Sequence, residues 1–282
     1  MSQHNRKAQR LARCGLVVLA AMALLAFAVS MLPSSVQAAD LTGKPQPTAT
    51  PGGTHGLTVV TLGFDDGYAD QYDAGPILAS HAMHATFFVN SGVVSDSTHL
   101  AWDQLHDLYA DGNEIAGHGL THANLKHLKG YALLHEVCDD RVNLFNQGFQ
   151  PTSFAYPFGS YNSTTQQALK TCGYNSGRGV SGGPDTILPL DAYATRAMPS
   201  VKSSTSLATM QGWVMQAEQS GGGWVQIVLH HVCDDCDVYS ISAPTLTDFL
   251  DWLQPRAASG TVVSATTQVI GGTVKPPVLA TP

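Results

Sequence analysis

The chain has 282 residues, of which 44% are hydrophobic and 12% are charged. This composition excludes a disordered chain, and the length suits one large α/β domain or two small ones. The 21 acidic residues outnumber the 14 basic ones, and this negative balance argues against nucleic acid or an anionic membrane as a partner.

The first 38 residues are typical of a secretory signal. Four basic residues and no acidic one precede an apolar run from Leu16 to Leu32, and small residues at Val36 and Ala38 mark the expected cleavage point. An uncleaved membrane anchor is the alternative, although a run of 17 residues is short for a span. Cleavage leaves 10 basic and 21 acidic residues, a net charge of −11. We therefore expect a secreted or cell-surface protein, a monomer, with a neutral or partly cationic partner.

Residues 39–56 are rich in Pro, Thr and Gly and are expected to form a linker, and residues 266–282 a similar tail. Between them, residues 57–265 alternate strand-like and helix-like stretches. The predicted strands are Thr58–Phe64, Ala85–Val89, Glu114–Gly117, Ser153–Tyr156, Ala194–Met198, Trp224–Leu229 and Thr261–Ser264. The predicted helices are Gly75–His81, Trp102–Asp111, Tyr131–Asn146, Ser163–Cys172, Ser206–Gln219 and Thr245–Leu253. This alternation, without a Gly-x-Gly-x-x-Gly loop, favours a (β/α) barrel over a doubly wound sheet.

Polar residues collect at the ends of the predicted strands, which is where the chemistry of a barrel takes place. They are Asp65, Asp66, His118, His122, Arg196, His230 and His231. His118 and His122 stand four residues apart, so one helical turn would aim both at one point. Two imidazoles and a carboxylate suit a zinc ion, and cobalt or nickel would also fit these ligands. One Asp of the Asp65-Asp66 pair would bind the ion and the other accept a proton; the alternative is a solvated turn with a helix cap.

Four cysteines follow the predicted signal, an even number that suggests disulfides in an exported chain. Cys138 and Cys172 each lie on the apolar stripe of a predicted helix, so they either bridge or remain buried thiols. Cys233 and Cys236 could form a redox pair, half a zinc site or a loop staple. The staple is preferred because the chain has no second Cys-x-x-Cys.

Several motifs, in order and spacing, resemble those of the polysaccharide deacetylases, the NodB-homology carbohydrate esterases. They are FDDG at Phe64–Gly67, ATFFV at Ala85–Val89, HGLTH at His118–His122, FAYPFG at Phe154–Gly159, VLHH at Val228–His231 and TLTDFLDWL at Thr245–Leu253. The resemblance covers about residues 57–265. It implies a distorted (β/α) barrel of about seven strands and metal-dependent removal of acetyl groups from N- or O-acetylated glycans. The FAYPFG form indicates a subgroup of the family.

The resemblance also implies a role for each matching residue. Asp65 would be the general base and His230 the general acid, while Asp66, His118 and His122 would bind the metal. Phe158 would offer its backbone N–H to the oxyanion, and Leu229 and Tyr156 would line the substrate pocket.

Three departures from the family pattern affect these assignments. The arginine that opens the third motif and pairs with the base is replaced by Ala155, and we expect Arg196 to supply that charge. Gly119 replaces a Ser or Thr after the first histidine. The Asp of the fourth motif has no clear match, with Asp185 and Asp191 both in the right region, so the partner of His230 is unassigned.

Two other functions compete with a deacetylase. Ser181 lies in a Gly-x-Ser-x-Gly pattern that could serve a serine hydrolase, but Pro184 follows at once and a helix is not expected there. We expect Ser181–Asp191 to be a surface loop. The second alternative is a glycan-binding relative without activity. The polysaccharide itself, whether a chitin oligomer, peptidoglycan, poly-N-acetylglucosamine or acetylated xylan, cannot be read from the sequence.

Overall fold

The computed structural model describes residues 56–281, and a parallel sheet forms their frame. The strands are β1 Thr58–Phe64, β2 Thr86–Val89, β3 Glu114–Gly117, β4 Arg178–Gly182, β5 Thr195–Ala197, β6 Gly223–Leu229, β7 His231–Val232, β8 Ser240–Ile241 and β9 Thr261–Val263. The helices are α1 Ala74–Ser80, α2 Trp102–Ala110, α3 Gly130–Leu134, α4 Asp140–Asn146, α5 Ser163–Cys172, α6 Leu207–Gln219, α7 Ala243–Leu253 and α8 Thr266–Ile270. The predicted signal and nearly all of the predicted linker lie outside the described residues. Within residues 56–281, no helix is both long and apolar enough to cross a membrane.

The sheet is ordered β3-β2-β1-β6, and every pairing in it is parallel. β1 pairs with β6 along its whole length, from Thr58 opposite Gly223 to Phe64 opposite Leu229. On its other side, β9 pairs with the first half of β1 and β2 with its end. Because parallel strands share one direction, the carboxyl ends of β1, β2, β3 and β6 meet at one edge.

Beyond β3 the sheet curls on through isolated contacts instead of continuous ladders. Single parallel bridges join Gly117 to Phe154 and Ala155 to Arg178, and β4 then pairs with β5. A backbone hydrogen bond of 2.9 Å from Met198 to Gln226 brings the chain back to β6. The α/β fold with a mostly parallel sheet is confirmed, and among residues 56–281 the strand ladders do not form the closed ring of the expected barrel.

The predicted strand Ser153–Tyr156 is present only as these bridges. Pro151 and Pro157 flank it, and neither can donate a backbone hydrogen bond, so the extended stretch is too short for a ladder. Conversely, β4 runs to Gly182 through a segment that we expected to be loop from Ser181 onward.

The helices cover the outer face of the sheet with regular apolar stripes. In α7 the buried residues Leu246, Phe249, Leu250 and Leu253 recur at the spacing of one helical face. The Ser242 side chain accepts a hydrogen bond from the third helical residue and so caps the helix start. Burial of each such apolar side chain contributes about 1.5–3 kcal/mol to the stability of the fold. This packing holds the sheet, and with it the strand ends that carry the site.

The predicted helix Tyr131–Asn146 is divided by a π-helical turn, His135–Asp139, between α3 and α4. This turn adds one residue to the helical repeat, and it buries both Glu136 and Cys138. Cys138 forms a disulfide with Cys172 at the end of α5.

Cys233 and Cys236, for which a loop staple is the preferred prediction, also form a disulfide. It lies in the loop between β7 and β8.

Residues 266–281, which belong to the predicted tail, contact the rest of the described chain. It begins as α8, and the buried guanidinium of Arg141 then donates to the backbone oxygens of Lys275 and Pro276 at 2.6 and 3.1 Å. The backbone N–H of Ala280 donates to Asp139 at 2.9 Å. Residues 271–281 therefore lie across the helix pair that the Cys138–Cys172 disulfide joins.

Candidate active site

The two adjacent aspartates stand where β1 leaves the sheet. Asp65 still belongs to the ladder, since its N–H donates to the Leu229 oxygen at 2.8 Å. Asp66 then takes a left-handed backbone conformation, with φ of 75°, and Gly67 follows with φ of 77°. A non-glycine residue in this region carries backbone strain, which proteins retain mostly at functional sites. This turn sends the two carboxylates in different directions.

Asp66, His118 and His122 come together as predicted. The Nε2 atoms of His118 and His122 lie 3.1 and 3.2 Å from Asp66 Oδ1. That oxygen is buried, yet it has no hydrogen-bond partner among the described residues. His118 Nδ1 is 2.7 Å from the Ala155 oxygen, so Nδ1 donates its proton to that oxygen and Nε2 is the ring nitrogen that faces Asp66. Converging lone pairs on one carboxylate and two imidazoles fit a divalent cation and leave Asp66 Oδ1 unsatisfied without one.

The charges of the three residues are coupled. Burial alone would raise the pKa of Asp66, but interaction with His118 and His122 outweighs it and holds that pKa well below its usual range. Burial opposes the charged form of His118, and the nearby Asp66 and Asp65 carboxylates overcome it, so the pKa of His118 is raised. Burial and then His118 lower the pKa of His122. The site therefore favours an ionised carboxylate facing imidazole nitrogens.

Acidic residues of the π-helical turn and of α4 accept hydrogen bonds from the loop that carries His118 and His122. Glu136 accepts hydrogen bonds from the Thr121 N–H and hydroxyl at 2.9 and 2.7 Å. The fully buried Asp140 accepts from the Gly119 N–H at 3.3 Å. The sequence analysis did not identify either residue, because a helical stripe does not show which loop its acids face.

Arg196 does not pair with Asp65, so that prediction is wrong. The side chain of Arg196 is about half exposed on β5, where Nε lies 3.5 Å from Asp185 Oδ1. The charge beside Asp65 comes from Arg178 at the start of β4, whose Nη2 forms an ion pair with Asp65 Oδ1. Both side chains of this pair are almost fully buried. Arg196 follows Thr195, which points into the fold, so strand alternation turns Arg196 to the surface.

His230 follows the end of β6. Because β1 lies between β6 and β3 in the sheet, His230 and the histidines that follow β3 lie on opposite sides of Asp65. Its ring is 5.2 Å from that of Tyr239, and its buried Nδ1 has no hydrogen-bond partner among the described residues. Burial lowers the pKa of His230, and the Asp65 and Asp66 charges only partly offset this. The fully buried Gln71 donates through Nε2 to the backbone oxygens of both Asp65 and His230, so one amide group fixes the two strand ends relative to each other.

The two acids considered as partners of His230 lie elsewhere. Asp185 pairs with Arg196, and Asp191 accepts hydrogen bonds from the Gln166 side chain and the Tyr193 N–H. A carboxylate does pair with the next histidine, since Asp70 Oδ2 lies 2.7 Å from His231 Nδ1.

A cavity of about 390 Å³ opens above these groups. Its lining residues are Asp65, Asp66, Tyr68, His118, His122, Tyr156, Phe158, Val180, Ser200, His230, His231, Asp237 and Tyr239. Tyr156 lines the cavity as predicted. Leu229 does not, because its side chain belongs to the outer core with Val225 and Ile227 on the helix-facing side of β6.

Phe158 stands at the cavity mouth in a left-handed conformation, with φ of 60°. Its side chain is largely exposed, and its ring lies 4.5 Å from that of His122. This position sets the Phe158 ring beside one of the predicted metal ligands, and the contact of its N–H with an oxyanion stays a prediction.

Ser181 does not have the setting of a hydrolase nucleophile. It is exposed near the end of β4, no helix follows, and no histidine is hydrogen-bonded to it among the described residues. A strand–turn–helix elbow is therefore missing.

Comparison with known proteins shows a family likeness over part of the chain. Residues 52–177 match the family model described as polysaccharide deacetylase. The Bacillus subtilis (strain 168) protein YxkH, which is named in that family, is 34% identical over 122 residues, 42% of this chain and 43% of that protein. A chitin deacetylase of Arthroderma benhamiae is 30% identical over 141 residues, 46% of this chain and 37% of that protein. The chain thus spans less than half the length of these relatives.

The fold is also that of solved deacetylases. The structure of peptidoglycan deacetylase PdaC from Bacillus subtilis aligns with a TM-score of 0.52 at 21% identity, over 76% of this chain and 90% of that one. At this identity the likeness shows the α/β fold alone.

Proposed function

We propose that this chain, whose residues 52–177 match the polysaccharide deacetylase family, is a metal-dependent hydrolase that removes acetyl groups from an acetylated polysaccharide. One observation carries the proposal. Three ligand atoms of Asp66, His118 and His122 converge beside a second, buried carboxylate, Asp65, at the floor of an open cavity. Metal-dependent deacetylation needs both a cation and a base at one point.

Asp66, His118 and His122 would hold the cation, for which zinc suits the donor atoms best and cobalt or nickel are alternatives. When bound, it would polarise the acetyl carbonyl and lower the pKa of a water molecule. The buried acceptor oxygen of Asp66 supports this assignment, because a buried carboxylate oxygen without a partner is costly in the folded protein.

Asp65 would act as general base and accept the proton of the attacking water. Its ion pair with Arg178 gives it a counter-ion in a buried position and fixes the direction of its free oxygen. Gln71 holds the backbone at Asp65 and at His230, so the base and the acid keep their separation.

His230 would act as general acid and deliver a proton to the leaving amine or alcohol. It lines the cavity across from the histidine ligands, and burial favours its neutral form once the proton has left. The backbone N–H of Phe158 would donate to the acetyl oxygen as negative charge develops there. Tyr156 would form part of the wall around the acetyl group.

The substrate class follows from the family match and from the names of its relatives, which include chitin and peptidoglycan deacetylases. We place the protein outside the cytoplasm, because its first 38 residues have the pattern of a signal and the unit has two disulfides. We propose that it acts as a monomer and belongs to the subgroup with the FAYPFG motif.

Acetate release tests the proposal directly. The protein would be assayed with added zinc, cobalt or nickel on chitin oligomers, peptidoglycan, poly-N-acetylglucosamine and acetylated xylan. We expect metal-dependent release from at least one of them, and a loss of about 10²–10⁴-fold in kcat for Asp65→Asn. Binding of these glycans without acetate release in the presence of every metal would contradict the proposal and favour an inactive glycan-binding protein.

A further inference from the structure

Asp70 and His231 form a hydrogen-bonded pair on the cavity wall that the proposed reaction does not use. Asp70 Oδ2 lies 2.7 Å from His231 Nδ1, and Asp70 Oδ1 accepts from the Val232 N–H at 3.3 Å. The His231 ring also stacks on Tyr68, with ring centres 3.9 Å apart and an angle of 19° between the planes. The stacking contact therefore holds the plane of the imidazole, and the hydrogen bond holds the direction of Nδ1.

This fixation determines what His231 presents to the cavity. A carboxylate can only accept, so Nδ1 carries the proton and faces Asp70. The remaining ring nitrogen, Nε2, has no hydrogen bond to any of residues 56–281, although the side chain is only 19% exposed and lines the cavity. The histidine thus offers one oriented polar atom to a molecule that enters the cavity.

Although it follows His230 in the chain, the side chain of His231 makes no hydrogen bond or ion pair, among the described residues, with the groups that would carry out the chemistry. The ion-pair contacts of Asp66 are to His118 and His122, and that of Asp65 is to Arg178. A fixed histidine that lines the site without touching the reacting groups is suited to binding the part of the substrate that does not react.

The residues around His231 match the chemistry of a sugar. Tyr68, Asp237 and Tyr239 line the same cavity, so aromatic rings and hydrogen-bonding groups occur together there. A sugar ring has apolar C–H faces and a rim of hydroxyl groups, and it needs both kinds of contact.

We propose that His231, oriented by Asp70, hydrogen-bonds a hydroxyl group of an N-acetylglucosamine oligomer and sets its affinity for the site. This inference rests on the proposed function. Asp70 acts as a positioning residue, since it fixes the ring of His231 and does not itself touch the glycan. Loss of the single hydrogen bond would weaken binding about tenfold.

Two substitutions separate binding by His231 from its structural contacts. An Asn side chain can replace Nδ1 and keep the bond to Asp70, whereas a Gln side chain can replace Nε2. We expect His231→Asn to raise the KM for fully acetylated chitotetraose about tenfold with kcat nearly unchanged, and His231→Gln to restore part of the loss. His99→Ala is the matched control, because His99 stacks near Tyr68 but does not line the cavity.

A substrate without a sugar gives the second readout. His231→Asn should lose much less activity on 4-nitrophenyl acetate than on chitotetraose, and its affinity for chitotetraose, measured by calorimetry in an Asp65→Asn background, should fall about tenfold. Unchanged KM and affinity for chitotetraose, or an equal loss on both substrates, would overturn the role of His231. Absence of acetate release by the wild-type protein from every acetylated glycan would instead overturn the proposed function.

Discussion

Replacement of Arg178 by Met tests whether the base depends on this arginine, which the sequence analysis did not identify. The side chains of Arg178 and Asp65 are 2% and 3% exposed, so the substitution would leave a carboxylate buried without its counter-ion. Breaking a buried ion pair in this way costs about 3–5 kcal/mol of unfolding free energy. A shift of the carboxylate by about 1 Å would lower kcat about 10²-fold as well. Urea unfolding and acetate release measure the two effects.

Arg196→Met is the matched control, since Arg196 is the arginine that the sequence predicted for this role. Its pair with Asp185 is partly exposed, and exposed pairs contribute only about 0–1 kcal/mol. The double variant Asp65→Asn with Arg178→Met removes both charges and should recover much of the stability that Arg178→Met alone loses. The reasoning would be refuted if Arg196→Met lowered stability and activity as much as Arg178→Met does.

Two further predictions concern the stability of the fold. Burial raises the pKa of Asp140 to about 6 from 3.8, so the stability that protonated Asp140 contributes is present at low pH and is lost as pH rises from about 4 to about 6. The unfolding free energy of the wild type relative to Asp140→Asn should therefore fall by about 3 kcal/mol over that range. A difference that does not change with pH would contradict this. Removal of a disulfide by paired Cys→Ala substitution should lower the unfolding free energy, as measured by urea unfolding. The expected loss is about 4 kcal/mol for Cys138–Cys172, which closes a loop of 34 residues, and about 2 kcal/mol for Cys233–Cys236, which closes one of 3. The reverse order would show that loop closure does not dominate.

The sequence predicted the parts of the site whose residues are close in the chain or adjoin a strand end. β1 and β3 have the predicted bounds, and so does α5, which is capped by Asn162 and ends before a left-handed Gly173. The alternation of strands and helices therefore sufficed to place Asp66, His118 and His122 at one edge.

Residues that act across the fold could not be predicted in this way. Arg178 and Asp65 are 113 positions apart, and β4 was hidden in a stretch rich in glycine. Gln71 has the polarity of a surface residue, and only the packing of β1 beside β6 shows that it bridges two strand ends. The outward direction of Leu229 depends on the phase of β6, which is hard to read from the sequence because all residues of this strand after Gly223 are buried.

A joint titration of metal content and activity tests the central claim most directly. The protein would be stripped with a chelator and titrated with zinc, while bound zinc and acetate release are measured together for the wild type and for His122→Ala. We predict that activity rises in proportion to zinc until one ion is bound, and that His122→Ala binds this ion far more weakly and regains little activity. Full acetate release by the stripped wild type, or unaltered zinc binding by His122→Ala, would contradict the assignment of Asp66, His118 and His122 as the metal site.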